Sequence, residues 1–171
     1  RQAYLVWHHP QMGEVTGTAV SDVMADSRMA QRLNDHLLHR SLADAARRRQ
    51  LGFADDRVAL ALPPERLQGP QAASRLIDQL SSLGLPPDAL IVEVNAAVID
   101  HRAHASVVAC LECLRDVGVH VAIDRFGTGA ASLIQLRDMP ADMVWLDRDL
   151  VANLAESTAS QHVVRAVVDL A

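Results

Sequence analysis

The chain has 171 residues, of which 50% are hydrophobic and 22% are charged, with a formal net charge of −5. This composition is typical of a folded globular domain and excludes a disordered or fibrous chain. All 16 basic residues are arginine, so a mechanism that needs a lysine cannot run on these residues. We expect the one basic run, Arg47-Arg48-Arg49, to be a solvated helix end, and we expect no nucleic-acid polymer as partner.

The predicted elements alternate between strand and helix. The predicted strands cover residues 3–7, 58–62, 89–94, 119–124 and 143–147, and the predicted helices cover 22–51, 70–83, 103–117, 131–137 and 157–171. This order predicts a parallel sheet with crossover helices, and the apolar strands predict burial on both faces. The spacing of the later strands, roughly 30 residues, fits the βα units of a (β/α)₈ barrel. An open doubly wound sheet is the alternative, which the lack of a glycine-rich phosphate loop weakens.

Two cysteines and the hydropathy pattern bear on the compartment. Cys110 and Cys113 lie three positions apart in a helical pattern without a second pair, so we expect small apolar residues beside a buried helix face rather than a zinc site. No disulfide framework, signal peptide or apolar run of about 18 residues is visible. We therefore expect a cytoplasmic location and no membrane span in this chain.

Carboxylates mark the ends of consecutive predicted strands. Asp124 ends the apolar run 119–124 just before an F-G-T-G turn, and Asp147 ends the strand 143–147. Glu93 interrupts the otherwise apolar strand 89–94. Acidic groups at the carboxyl ends of parallel strands are how α/β barrels assemble active sites.

Four ordered segments resemble one known family. The stretch D-R-F-G-T-G-A-A-S-L with P-A-D-M-V-W-L-D resembles the D-D-F-G-T-G…S-L…P-x-D-x-x-K-I-D signature of EAL domains, the cyclic di-GMP phosphodiesterases. Q-A-Y-L-V-W-H-H-P is similar to E-A-L-L-R-W-x-H-P, V-A-L-A-L-P is similar to V-A-V-N-L-S, and L-I-V-E-V-N-A is similar to L-x-x-E-I-T-E.

The resemblance implies a TIM-like (β/α)₈ barrel of the EAL type, incomplete in this chain. Residues 1–171 are expected to form a single, partial and degenerate EAL domain. The family's barrel begins with a strand upstream of Arg1 and continues past Ala171. Either the full protein holds the other segments, or a second copy closes the barrel, since open sheet edges invite pairing.

The resemblance also implies a metal site, from which this chain departs. The family cleaves a phosphodiester with two Mg²⁺ or Mn²⁺ ions, which need several oxygen ligands. Glu93 and Asp124 match two of the family's ligands and are expected to be a vestigial, unoccupied metal site. The family's Glu, Asn and second Asp ligands and its water-positioning Lys are replaced, in this order, by Gln2, Ala61, Arg125 and Trp145.

We therefore expect no catalytic residues and no cofactor. Arg125 is expected to neutralise the site by pairing with Asp124 or Glu93. Arg125 and Asp124 are also the candidate contacts for cyclic di-GMP, although the family's dinucleotide-binding Arg and an acidic residue are replaced by Val6 and Ala19.

The predicted function is a catalytically inactive regulatory or protein-interaction module in a cyclic di-GMP signalling protein. A protein partner, a homodimer and flanking cyclase-like or sensory domains follow from the resemblance. Two alternatives stay open: a cyclic di-GMP receptor without hydrolysis, and an active phosphodiesterase.

Overall fold

A parallel sheet and the helices packed on it make up the part of the chain that the computed structural model describes: residues 1–4, 6–11, 13–15, 27–53, 56–95, 101–127, 138–152 and 154–170. The strands are β1 Gln2–Ala3, β2 Trp7–His9, β3 Gly13–Val15, β4 Val58–Ala61, β5 Leu90–Val94, β6 His120–Phe126 and β7 Met143–Leu146. The helices are α1 Ser27–Gln50, α2 Gly69–Ser82, α3 His101–Asp116, α4 Arg148–Ala152 and α5 Thr158–Leu170, with short 3₁₀ turns at Pro64–Arg66 and Pro87–Ala89.

The main sheet has five strands in the order β1-β4-β5-β6-β7, and each neighbouring pair is parallel. Among the described residues, α1 precedes β4, α2 connects β4 to β5 and α3 connects β5 to β6, and such crossover connections are what parallel pairing requires. The predicted α/β fold with a parallel sheet is therefore confirmed.

Alternation along the strands divides the sheet into two faces. One face packs against the helices and carries large aliphatic residues, namely Leu60, Leu90, Val92, Val121 and Ile123, each fully buried. The other face carries a smaller apolar cluster of Ala59, Ile91 and Ala122, with Met143 and Trp145 packed against it. Burial on both faces, predicted from the continuous apolar strands, is confirmed, and we call the second face the inner face.

The helix α2 shows how local sequence sets the packing. Pro70 lies in its first turn, where a missing N–H costs nothing, and Gly84 follows its end with φ +65. Its buried residues recur at helical spacing and belong to the main core cluster: Ala72, Ala73, Leu76 and Leu80. Cys110 is buried in the same core and burial raises the pKa of its thiol to about 11, which agrees with an inert packing residue.

The amino-terminal segment differs from the prediction. The sequence predicts a strand over 3–7, but of the described residues in this segment only Gln2–Ala3 joins the main sheet. Trp7–His9 instead pairs antiparallel with Gly13–Val15 in a hairpin whose turn contains Pro10. Gly13, with φ +72, supplies a backbone conformation that other residues rarely adopt. The predicted helix 131–137 lies outside the described residues.

Among the described helices, none is both long and apolar enough to cross a bilayer.

Asp142 ties the amino ends of β6 and β7 to the end of α3. Its Oδ1 accepts hydrogen bonds from Nε and Nη2 of Arg115 at 2.9 and 2.7 Å, and its Oδ2 accepts one from the Val121 N–H at 2.8 Å. Burial raises the pKa of this carboxyl, but the Arg115 and Val121 hydrogen bonds outweigh burial, and the pKa lies below its ordinary value.

Asp142→Asn should therefore destabilise the fold in a pH-dependent way. At about pH 7 the charge-assisted bonds are worth about 1–2 kcal/mol, part of which solvent screens. Because the folded pKa of Asp142 is lowered, its contribution is present above the unfolded pKa and disappears as the pH falls through the folded pKa. Denaturant titrations at about pH 7 and about pH 3 should show the variant's deficit shrinking in acid. The exposed Asp88→Asn variant is the control; an equal deficit at both pH values would contradict this reasoning.

Candidate functional site

The inner face brings the residues predicted from the sequence together at the carboxyl edge of the sheet. In the strand register Ala61 lies opposite Glu93, and Glu93 lies opposite Ala122. Asp124 follows Ala122 by two positions and so lies on the same face, nearer the edge. Trp145 packs on this face, and Gln2 reaches it from β1.

Glu93 is the buried acid of this site. Its exposed fraction is 1%, and its Oε2 accepts a hydrogen bond of 2.8 Å from Nε2 of Gln2. Its Oε1 is buried and has no hydrogen-bond partner among the described residues. Burial raises the pKa of Glu93, the charge of Asp124 raises it further, and the Gln2 hydrogen bond offsets these effects only in part.

The Gln2 contact is the feature that sequence reasoning missed. A neutral amide, in the place of the family's first carboxylate ligand, holds one oxygen of the retained Glu93. The opposite neighbour, Ala61, ends in a methyl group and offers no side-chain donor atom. Gln2, on β1, lies opposite Ala59, and Glu93, on β5, lies opposite Ala61, so β4 separates the two strands. The small side chains of Ala59 and Ala61 on β4 are the signal in the sequence that a side chain of β1 can reach Glu93.

Arg125 lies at a break in the strand pairing. The register between β6 and β7 shifts between Ile123 and Phe126, and Arg125 has φ +56, a conformation that costs of order 1–2 kcal/mol for an ordinary residue. Its side chain is 65% exposed, and its Nε donates to Oδ2 of Asp147 at 3.3 Å. The guanidinium thus pairs with Asp147, rather than with Asp124 or Glu93 as expected.

Asp147 is a structural carboxylate in this arrangement. It is buried, and its Oδ1 accepts the N–H of Asp149 at 2.9 Å, while its own N–H donates to the carbonyl of Phe126. Asp147 therefore pairs with an arginine and with a backbone amide. The next turn is tight: a Cβ on Gly127, which has φ +102, would lie 2.6 Å from Leu150 Cδ2.

Trp145 fills the inner face where the family has its lysine. The ring is half-buried against the cluster of Ala59, Ile91 and Ala122. The contact by which Trp145 fills the core therefore also places its ring at the candidate site. Val6 is half-buried, and Ala19 lies outside the described residues.

With this geometry in place, the comparisons with known proteins identify the family. Residues 1–171 match the EAL domain family, and the chain belongs to it.

Two relatives come from Pseudomonas aeruginosa. The chain is 30% identical to the bifunctional diguanylate cyclase/cyclic di-GMP phosphodiesterase MucR, over 99% of this chain and 24% of MucR. It is 26% identical to the cyclic di-GMP phosphodiesterase NbdA, over 99% of this chain and 22% of NbdA. The chain thus spans about a quarter or less of the length of these relatives.

Solved structures support the same fold. The complex of the MucR phosphodiesterase with c-di-GMP superimposes with a TM-score of 0.84 at 28% identity, covering 99% of this chain and 68% of that one. The Xanthomonas citri FimX EAL domain in complex with c-diGMP gives a TM-score of 0.84 at 18% identity, covering 99% of this chain and 66% of that one, and shows the fold. The chain is a partial barrel of the EAL type.

These comparisons correct one prediction. The sequence led us to expect no cofactor, but membership of the EAL family and homology to cyclic di-GMP phosphodiesterases indicate the use of metal ions. That expectation did not take into account Oε1 of Glu93, which is buried and has no hydrogen-bond partner among the described residues. The residues that replace the family's other ligands do not bond this oxygen either.

The residues present fit one cation. The buried, unpartnered Oε1 of Glu93 and the nearby charge of Asp124 are two oxygen donors of the kind that Mg²⁺ and Mn²⁺ accept. Such an ion, when bound, would polarise a phosphate oxygen. Within the described ranges no three or more His, Cys, Asp or Glu side chains lie together as a metal-binding group, so a second cation lacks acidic ligands there.

Glu93→Gln should change the pH dependence of stability. Because the folded pKa of Glu93 is raised, its ionisation destabilises the metal-free fold as the pH rises from the unfolded value of about 4.5 through the folded one. The variant has no such charge to bury, so in chelator its melting temperature should fall less between about pH 5 and about pH 8. Thermal melts of wild type and variant test this, with the exposed Glu112→Gln as control. If the melting temperatures of wild type and Glu93→Gln changed in parallel with pH, Glu93 would not be a buried carboxyl with a raised pKa.

Proposed function

We propose that this domain is a catalytically inactive EAL module, which acts by regulation or protein interaction within a cyclic di-GMP signalling protein. The observation that carries the proposal is the hydrogen bond between Gln2 and Glu93 opposite Ala61. We call the carboxyl edge of the inner face, with Gln2, Ala61, Glu93 and Asp124, the mouth. In the mouth, a neutral amide and a methyl group occupy positions where a two-metal phosphodiesterase has oxygen ligands.

Electrostatics support the same conclusion. Two cations close together need shared anionic ligands, and each unit charge at 4 Å contributes about 4 kcal/mol at an effective dielectric constant near 20. The described mouth offers the carboxylates Glu93 and Asp124, and Arg125 adds a positive charge where the family has an acid. A single cation can bind such a pair of carboxylates, but the ligands that a second ion needs for hydrolysis are missing. Trp145 replaces the family's lysine, which positions the attacking water.

A non-hydrolysing receptor for cyclic di-GMP is the second candidate. Its support is the guanidinium of Arg125, which is 65% exposed beside the mouth, where it and Asp124 are the proposed ligand contacts. An arginine offers a planar donor set suited to phosphate. Relatives of the same fold were solved with the dinucleotide bound.

The remaining parts of the proposal concern assembly and location. A protein partner follows from a regulatory role without chemistry. A homodimer and a cytoplasmic location remain predictions from the sequence.

Hydrolysis assays on the whole protein test the proposal. With cyclic di-GMP and Mn²⁺, the wild-type protein should form no linear dinucleotide above the enzyme-free background. The variant Gln2→Glu/Ala61→Asn/Arg125→Asp/Trp145→Lys, which restores the family residues, should bind Mn²⁺ more tightly by calorimetry and gain measurable turnover, because it regains ligands for paired ions. Glu93→Gln in that background should abolish the gain. Wild-type turnover that Glu93→Gln removes would refute inactivity; thermal melts establish that each variant is folded.

Calorimetry with cyclic di-GMP separates the two candidates. The leading proposal predicts no binding heat in the wild-type protein, with or without Mn²⁺. The receptor candidate predicts micromolar or tighter binding that Arg125→Ala weakens at least tenfold, since a charge-assisted contact to phosphate is lost. Arg165→Ala, at an exposed site on α5, is the matched control. Binding that both substitutions leave intact would remove Arg125 from the site.

A further inference from the structure

A second surface lies where α1 ends, at the opposite edge of the sheet from the mouth. We call it the basic tip: Arg47, Arg49, Leu51, Phe53 and Arg57. Leu51 is 67% exposed and Phe53 is 54% exposed, so two large apolar side chains, two positions apart in the chain, are exposed to solvent. The tip precedes Val58, the first residue of β4, which places it at the amino edge, away from the carboxyl-edge site.

The backbone holds the tip in one conformation. The Phe53 N–H donates to the Arg48 carbonyl at 3.1 Å, and the Gly52 N–H donates to the Arg49 carbonyl at 3.0 Å. With Gly52 at φ +95, this is a Schellman helix end. A Cβ on Gly52 would meet nothing within 4 Å, so the turn projects outward.

The phenylalanine is supported rather than buried. In a Schellman helix end, the residue after the glycine usually packs against an apolar residue of the last helical turn. Here that residue is Phe53, and it packs against Arg48, whose guanidinium lies 5.1 Å from the ring centroid. The Arg48 guanidinium is in turn fixed by an ion pair with Asp56. The ring is thus held by a cation–π contact while more than half of it faces water.

Three further arginines lie in the same stretch of chain as the two apolar side chains. Arg47 and Arg57 are exposed and Arg49 is half-exposed, and none of the three pairs with a carboxylate among the described residues. Asp56 is already engaged by Arg1 and Arg48, and Asp44 by Arg40. Carboxylates elsewhere in the chain contribute little to offsetting these three charges, because charges more than about 8 Å apart are largely screened at physiological ionic strength.

We propose that the basic tip docks the domain onto a bilayer surface of anionic phospholipids. Leu51 and Phe53 enter the boundary between headgroups and acyl chains, and Arg47, Arg49 and Arg57 contact lipid phosphates. An apolar wedge raised on a tight turn with a basic rim fits this shallow, planar, anionic layer. An acidic protein would match the charge, but the projecting pair would need a pocket on that partner.

Vesicle sedimentation with the whole protein tests the proposal. The protein should sediment with vesicles of phosphatidylglycerol and phosphatidylcholine, not with phosphatidylcholine vesicles, and added salt should release it. Arg47→Glu/Arg49→Glu should weaken binding at least tenfold, and Leu51→Ser/Phe53→Ser several-fold. The matched controls on α5, Arg165→Glu and Val168→Ser, should bind like the wild type; Val168 is 67% exposed, as Leu51 is.

A site-specific readout complements sedimentation. Brominated acyl chains should quench the added tryptophan fluorescence of Phe53→Trp and not that of Val168→Trp, measured against the unsubstituted protein. No binding to anionic vesicles, equal losses in tip and control variants, or no quenching at position 53 would each overturn the proposal. Tip-dependent binding to polyglutamate without binding to vesicles would also overturn it, in favour of an acidic protein partner.

Discussion

The burial of the Glu93 carboxylate on the inner face of the sheet governs what the mouth can do. A charged group at 1% exposure has to be compensated, and the structure supplies one amide hydrogen bond from Gln2, while the second oxygen has no hydrogen-bond partner. The neighbouring charge of Asp124 adds to the cost. Binding a proton or binding a cation would each compensate the buried charge of Glu93. One bound cation is therefore compatible both with the family's use of metal ions and with the ligands that this chain lacks.

The second constraint is the bulge between β6 and β7. It gives Arg125 a positive φ and turns its side chain to Asp147, which the Asp149 N–H also holds. The guanidinium is therefore attached to a buried carboxylate at the rim rather than collapsed onto Glu93. A positive group fixed there disfavours a cation at the position of the family's second Asp.

The sequence predicted the sheet better than the details of the site. Apolar runs such as Leu90–Val94 are buried on both faces, and few other structures accommodate them. The departure of the chain after Ala3 into a hairpin was missed, because a short strand and a turn differ by pairing rather than by composition. The partner of Arg125 was missed for a similar reason: the bulge that directs it is a property of the register, which no single residue type encodes.

The residues that the resemblance named, Arg125 apart, lie together at the carboxyl edge, since strand ends align in a parallel sheet. The resemblance did not predict the hydrogen bond from Gln2 to Glu93. A comparison with the family shows which ligand is replaced, but not which contact the new side chain makes. It also led to the prediction of no cofactor, which ignored that one buried oxygen without a partner still suits a cation.

The central claim is that the mouth holds too few ligands for paired metal ions. Anomalous diffraction from crystals of the whole protein grown with Mn²⁺ and cyclic di-GMP tests it most directly. The account predicts a single manganese peak, between Glu93 and Asp124. Two peaks about 3.5–4 Å apart, the spacing of two-metal hydrolases, would contradict it.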